Sequence, residues 1–450
     1  MLLIRKLLIA NRGEIACRII RTCRKMGIST VAVYSDADKD ALHVQLADEA
    51  VRIGPPPVAQ SYLQIDVIID AAKSTGADAL HPGYGLQSEN PELARRSEEA
   101  GIRFVGPSSV AIAQMGSKVA ARQMMKQAGV PLVPGSDGAV AGDEQALAEA
   151  ERIGYPVMLK ASAGGGGIGM QVVENADALK KAFASNQTRA KAYFGNGEMF
   201  IEKQIMRPRH IEVQVLFDEH GNGVYLWERE CSVQRRHQKV VEEAPSPFLD
   251  STLRRQMGET ALLAARSIGY ANAGTVEFIV DEDRNFYFLE MNTRLQVEHP
   301  VTEFITGLDI VEWQLRIADG DRLAFTQEDI QLRGHAIECR VYAEDPVRML
   351  PSPGTITELV LPEGEGIRND VGVTNSTVVT PFYDPMVGKL IAYGADRHEA
   401  ISRMADALLQ YRVEGIKTNL PLLAKIIAAD AFRSGDTTTD FISQHISWKE

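Results

Sequence analysis

Cysteine is scarce: Cys17, Cys23, Cys231 and Cys339 are the only four in 450 residues. None sits in a C-x-x-C pair or at a His-paired metal spacing, which argues against a disulfide framework or a zinc site and for free thiols in a reducing compartment. Long apolar runs are missing as well. Met1-Leu-Leu-Ile4 is interrupted by Arg5 and Lys6, too short for a secretory leader, and nothing later reaches the ~18 consecutive apolar residues of a membrane span. There is no internal repeat and no low-complexity tract. With 48 Lys and Arg against 60 Asp and Glu, a net charge of -12, no nucleic-acid partner is expected, although total charge does not describe a local pocket. What remains reads as a cytoplasmic globular chain, long enough for roughly two to four domains at ~100 to 200 residues each.

Two nucleotide-binding signatures are also absent. The opening reads as strand, turn, helix, strand, with Lys6 to Ala10, Asn11-Arg12-Gly13-Glu14, an amphipathic run from about Ile15 to Met26, and Ser29 to Tyr34. That is one βαβ unit of a parallel sheet. Its turn holds the single glycine Gly13 where G-x-G-x-x-G would be needed, so dinucleotide binding is disfavoured. No G-x-x-x-x-G-K-[ST] occurs, the one Gly-Lys dipeptide being Gly388-Lys389 followed by Leu390. Further βα alternation through Ala77 to His81 and Ile102 to Pro107 predicts a doubly wound α/β domain at the N-terminus. A helix from about Lys118 to Gly129 and a loop rich in Pro, Gly and Asp, Val130 to Gly138, mark a boundary. Strand patterns follow at Tyr155 to Lys160, Met170 to Val173 and Ile211 to Phe217, then a hairpin of Gly274 to Val280 with Phe286 to Asn292. From about Gly334 strands mix with a helix near Arg397 to Leu409.

Chemistry enters with the glycine run Gly164 to Gly169, which includes Gly165 and Gly166. Its bare backbone can approach a polyphosphate where side chains would collide, a purely structural turn being the competing reading. Lys160, closing an apolar strand onto that run, favours phosphate binding. Glu277 and Glu290 lie in apolar strands, where unpaired carboxylates are costly. Sharing one face of a hairpin, they supply the oxygen ligands that Mg²⁺ takes beside nucleotide phosphates, with a structural salt bridge as the alternative. Beyond them Glu290, Asn292, Arg294, Gln296 and Glu298 fall on every second position, which predicts an extended polar face with a metal end and an anion-activating end. In Arg235-Arg-His-Gln-Lys239 the same alternation turns His237 and Lys239 toward a site and Arg236 and Gln238 away. Those cations suit ATP and an anionic co-substrate.

Together these motifs resemble one family, the biotin carboxylases, which are ATP-grasp enzymes, over essentially the whole chain from Ile4. The carriers of the resemblance are Ile9-Ala-Asn-Arg-Gly-Glu-Ile15, His81-Pro-Gly-Tyr-Gly85 with Ser88-Glu-Asn90, Met115-Gly-Ser-Lys118, Lys160 with its glycine run, Gln234 to Pro245, Glu290 to Pro300, and Gly334-His-Ala-Ile-Glu-Cys-Arg340. The resemblance implies a doubly wound domain at 1–115, an ATP-grasp domain at 116–333 with a lid at about 131–204, and a mixed α/β domain at 334–450. It implies that ATP and bicarbonate give carboxyphosphate, whose carboxyl group passes to biotin on a carrier protein. By position it assigns Lys118, Lys160, Gly165, Gly166, Glu202, Lys203, Ile205, His210, Gln234, His237, Glu277 and Glu290 to ATP, and Glu277, Glu290 and Asn292 to two Mg²⁺ or Mn²⁺ ions. Lys239, Arg294, Gln296, Val297 and Glu298 fall to bicarbonate, Glu298 as the base, while Arg340 and Tyr84 fall to biotin.

One position departs from the family pattern, Ile168 standing where an arginine is usual in the glycine run, and activity is expected to survive it because Lys118, Lys160 and the metal acids remain. No A-M-K-M biotinylation motif is present. The biotin carboxyl carrier protein and the carboxyltransferase are therefore expected on separate chains, in an acyl-CoA or pyruvate carboxylase, with a homodimer implied by the family. Another ATP-grasp ligase would share Lys160, Glu277 and Glu290 but not Lys239, Arg294, Glu298 and Arg340. A silent ATP-binding regulatory subunit is the remaining alternative, motivated by Ile168 alone.

Overall fold

The computed structural model describes residues 3–161, 170–194 and 197–448, without the side chains of Lys118, Val119, Tyr193 and Phe194. The glycine run with Gly165, Gly166 and Ile168 lies outside the described residues, as does the Lys118 side chain. The chain divides into two compact units, one made of Met1–Ala121, Arg209–Glu277 and Glu290–Glu450, the other of Arg122–Pro208 and Phe278–Leu289.

In the first unit the expected parallel sheet forms, in the order Glu49–Gly54, Ser29–Ser35, Lys6–Ile9, Ala79–His81, Arg103–Phe104. Its central strand shows why the opening run lacks polar alternation. Leu7 and Ile9 pack with Ile15, Ile19 and Cys23 of the helix Gly13–Met26, whereas Leu8 and Ala10 pack with Ile68, Ile69 and Leu80 on the opposite side. Successive side chains thus reach opposite faces, both covered, as a parallel strand requires. The helix Gly13–Met26 ends where Gly27 adopts the left-handed conformation, φ 72°, and its N–H closes onto carbonyls of the last turn.

An eight-stranded sheet carries the rest, in the order Phe286–Asn292, Asn272–Val280, Arg209–Phe217, Gly223–Arg235, Gln238–Ala244, His335–Tyr342, Met386–Gly394, Ile367–Val371. On His335–Tyr342 alternation sorts the faces. Ile337, Cys339 and Val341 join a core with Met404, Leu422 and Ile426 of the C-terminal helices, and Glu338 and Arg340 occupy the other face. The pair Gly223–Arg235 and Gln238–Ala244 is bulged twice. Val233 faces Val241 but Gln234 faces Lys239, leaving Val240 as an extra residue, and a second shift falls between Glu230 and Val233. Val240 and Val241 accordingly both enter the same core, and Lys239 comes to share a face with Glu242, three positions on.

The second unit holds the antiparallel sheet Met170–Val173, Val157–Ala161, Met199–Lys203. Val157, Leu159 and Ala161 alternate into a core with Ala146, Ala150, Leu179 and Phe183, which leaves Lys160 on the opposite face. Among the described residues no helix is long and apolar enough to cross a membrane.

Candidate active site

The site in the first unit centres on Lys239. Its ammonium donates to Glu277 Oε1 at 2.9 Å and Glu298 Oε1 at 2.7 Å, and also to Glu212. Burial opposes a charged lysine, yet the three carboxylates hold its pKa well above the ordinary range. Glu298 lies between two cations, since Arg340 Nη2 reaches its Oε2 at 3.0 Å while Arg340 Nε donates to Glu242 Oε1 at 2.6 Å. Burial pushes Glu298 toward protonation, but Lys239, Arg340 and Arg229 outweigh it and keep the carboxyl well below the usual range. Glu298 is thus held as an unprotonated carboxylate. Glu242, desolvated and only partly compensated by Arg340, is pushed up to about 7.

Behind this layer Arg229 and Glu212 face one another across paired strands, fully buried. Arg229 donates to Glu212 Oε1 at 2.5 Å, Gln214 at 2.8 Å, Thr302 at 2.9 Å and Thr275 at 3.1 Å. A guanidinium carries five donors in a rigid fork, and these four acceptors keep a buried one from stranding its N–H groups. Glu212, Arg229 and Glu242 were not singled out from sequence. The signal for Glu212 was the same as for Glu277, an acid inside the apolar strand Arg209–Phe217.

The expected strip from Glu290 to Glu298 is corrected by the structure. The strand ends at Asn292, and residues 293–298 bend and turn into the helix His299–Thr306, for which Glu298 is the N-cap. Convergence comes from that turn instead. Asn292 and Gln296 both donate to Glu277 Oε1, at 2.7 and 2.9 Å. Arg294 bridges Gln296 Oε1 at 2.8 Å, Asn292 Oδ1 at 3.1 Å and Glu89 at 2.9 Å. A second correction concerns His237, which with Arg236 forms the two-residue hairpin turn at φ 66° and 50°. It is exposed at the tip, so strand alternation aims Lys239 but not His237.

Metal-ligating groups cluster around Glu277. His210 Nε2 lies 2.9 Å from Glu277 Oε2 and 3.9 Å from Glu212 Oε2, and Gln234 Nε2 lies 3.1 Å from His210 Nδ1. Burial, overcome by Lys239 and His210, leaves Glu277 well below the usual range. Glu290 is exposed on the strand beside that of Glu277. Carboxylate oxygens with an amide oxygen suit the hard ions Mg²⁺ and Mn²⁺, so Glu277, Glu290 and Asn292 fit that class. Cys231, near Glu212 and Glu298, is a protonated thiol because burial pushes it far up. Tyr84 is half-buried, with a hydroxyl that has no hydrogen-bond partner among the described residues.

In the second unit Lys160 pairs with Glu202 Oε2, and Arg122 holds the other oxygen at 3.0 Å. Lys203 donates to the carbonyls of Gly154 and Tyr155 at 2.9 and 3.2 Å, and Ile205 is buried.

Residues 117–326 match the family described as carbamoyl-phosphate synthase L chain, ATP binding domain, which defines the class as an ATP-grasp enzyme. Residues 3–112 match the biotin carboxylase N-terminal domain and 338–444 the biotin carboxylase C-terminal domain. The chain belongs to the biotin carboxylase family. It is 60% identical over 445 residues, 99% of this chain and 98% of the other, to biotin carboxylase from Halalkalibacterium halodurans. It is 54% identical over 460 residues, 98% of this chain and 68% of the other, to the propionyl-CoA carboxylase alpha chain from Ruegeria pomeroyi. Among solved structures, the biotin carboxylase domain dimer of Hydrogenobacter thermophilus 2-oxoglutarate carboxylase, bound to MgADP, ADP and bicarbonate, superposes with a TM-score of 0.91 at 48% identity, covering 99% and 98% of the two chains. The expected family and α/β architecture are thereby borne out.

Proposed function

We propose that this member of the biotin carboxylase family uses the Lys239 cluster to bind and deprotonate bicarbonate, then passes the carboxyl group to biotin. The carrying observation is Glu298 held between Lys239 at 2.7 Å and Arg340 at 3.0 Å. Bicarbonate is a poor nucleophile until its second proton leaves, and Glu298 takes that proton. Lys239 and Arg294, with Gln296 and the backbone of Val297, hold the anion and screen it from the phosphates of ATP. The bicarbonate oxygen attacks the γ-phosphorus, ADP leaves, and carboxyphosphate forms. The carbon–oxygen bond of carboxyphosphate then breaks, inorganic phosphate leaves with the N1′ proton of biotin, and the carboxyl group bonds to N1′ while Arg340 stabilises the charge on the ureido oxygen and Tyr84 packs against the ring.

Mg²⁺ or Mn²⁺ held by Glu277, Glu290 and Asn292 neutralises charge on the transferred phosphoryl group. Nucleotide binding is assigned to Lys118, Lys160, Gly165, Gly166, Glu202, Lys203, Ile205, His210, Gln234 and His237, as the family resemblance implies. The division at 1–115, 116–333 and 334–450 is part of this reading. So are a cytoplasmic location, a homodimer, and a separate biotin carrier and carboxyltransferase serving an acyl-CoA or pyruvate. The test is ADP release by Mg²⁺-supplied enzyme: it should require bicarbonate and rise with free biotin, and release indifferent to both rejects the function.

A further inference from the structure

We propose that Lys389 is a positioning residue for the carboxylation site, fixing the turn that presents Glu298. The inference rests on the reading that Val297 and Glu298 belong to the bicarbonate site. Lys389 lies on the strand Met386–Gly394, directly opposite Arg340 in the antiparallel register, with its side chain 0% exposed. Withdrawing a lysine wholly from water forfeits its hydration and its rotamer freedom, so its contacts decide its purpose. Its ammonium donates to the carbonyl of Val297 at 2.7 Å. That is the side chain's one hydrogen bond among the described residues, and its target is backbone. The ammonium's charge is met by an ion pair with Glu14 Oε1 at 3.4 Å, and the Tyr84 ring centroid lies 5.8 Å off.

The Val297 carbonyl and the Glu298 N–H belong to one rigid peptide plane. Anchoring the oxygen therefore sets the direction in which Glu298 leaves the turn, just where the strand Phe286–Asn292 has ended and the helix His299–Thr306 has begun. Without the anchor, residues 293–298 depend on Arg294, Gln296 and the helix start. With it, the turn is tied to the strand next to the one carrying Arg340, so the base and the guanidinium that grips it share one frame. Positioning errors near 1 Å cost rate steeply. Because Lys389 also stands beside Tyr84, the same side chain relates the bicarbonate turn to the proposed biotin wall.

The test is steady-state kinetics of Lys389→Met and Lys389→Arg beside Glu298→Gln. Lys389→Met should raise the bicarbonate KM about tenfold or more, with the ATP KM within about threefold of wild type, and Lys389→Arg, which keeps a donor and the charge, should recover most of the loss. An unchanged bicarbonate KM, parallel rises in both constants, or no recovery with Arg overturns the positioning role. If Lys389→Met does not fold, Lys389→Gln replaces it and is judged by the same split. Should Glu298→Gln keep bicarbonate-dependent turnover, the site reading itself has failed; should Glu298→Gln be inactive while Lys389→Met behaves as wild type, only the Lys389 inference has.

Discussion

Replacing Glu298 by Gln keeps its shape and removes its capacity to accept a proton. General-base catalysis contributes about 10²- to 10⁴-fold, equivalent to about 3 to 5 kcal/mol of barrier, so kcat should fall by that factor. The effect on folding is smaller for a structural reason. Three cations, Lys239, Arg229 and Arg340, face four carboxylates, Glu212, Glu242, Glu277 and Glu298. Deleting a partner from a buried pair costs ~3 to 5 kcal/mol when it strands a charge. Here Lys239 keeps Glu277 at 2.9 Å and Arg340 keeps Glu242 at 2.6 Å, so a loss below about 2 kcal/mol and a Tm shift under about 5 °C are expected. The assay is bicarbonate-dependent ADP release at saturating ATP, with ATP affinity measured calorimetrically. A kcat within threefold of wild type refutes the base assignment, and an equal loss of ATP affinity makes Glu298 a structural residue instead.

Lys239→Met removes the cation that Glu212, Glu277 and Glu298 share and leaves Arg229 and Arg340 against four buried carboxylates, so scanning calorimetry should show destabilisation of about 3 kcal/mol or more; a change inside about 1 kcal/mol would mean that the remaining partners suffice to hold the carboxylates. Glu277→Gln retains partners for Asn292 and Gln296 but loses the ligand charge, so the Mg²⁺ concentration for half-maximal activity should rise about tenfold or more, and an unchanged requirement removes Glu277 from the metal set. Glu230 is buried, bonded by Ser232 and by Ser246 at 2.7 Å, and desolvation pushes it from the ordinary 4.5 to about 7. A carboxyl raised in the folded state keeps its proton where the unfolded chain has lost it, so its contribution to stability falls as pH rises from about 4.5 through about 7. Glu230→Gln should therefore gain Tm relative to wild type at pH 8 compared with pH 5, and an equal difference at both pH values contradicts the shift.

Much of the site was legible because charges in apolar strands are expensive. Glu277 announced itself that way, and the first sheet was readable from strand runs buried on both faces with a helix between. The strip Glu290 to Glu298 was read with the right residues and the wrong geometry: period-2 spacing matched a strand, yet the chain bends after Asn292 and gathers the same side chains through a turn. Lys239 illustrates the converse. Alternation picks it out, yet its sharing a face with Glu242 depends on the bulge at Val240, which a single strand's pattern does not reveal. Arg229 and Lys389 escaped notice because each is compensated by residues distant in sequence, Glu212 and Thr302 for one and Glu14 and Val297 for the other. The eight-stranded sheet joins strands from Arg209 to Gly394, and no local propensity encodes such an order.

Isotope transfer tests the central claim most directly. If Glu298 deprotonates bicarbonate for attack on the γ-phosphorus, the attacking oxygen stays on phosphorus when the carbon–oxygen bond of carboxyphosphate breaks. Turnover of bicarbonate labelled with ¹⁸O at all oxygens, with ATP, Mg²⁺ and biotin, should then place one labelled oxygen in each inorganic phosphate and two in the carboxyl group of carboxybiotin. Unlabelled phosphate formed alongside ADP would show that water, not bicarbonate, attacks ATP, and would contradict the proposed role of the Lys239 cluster.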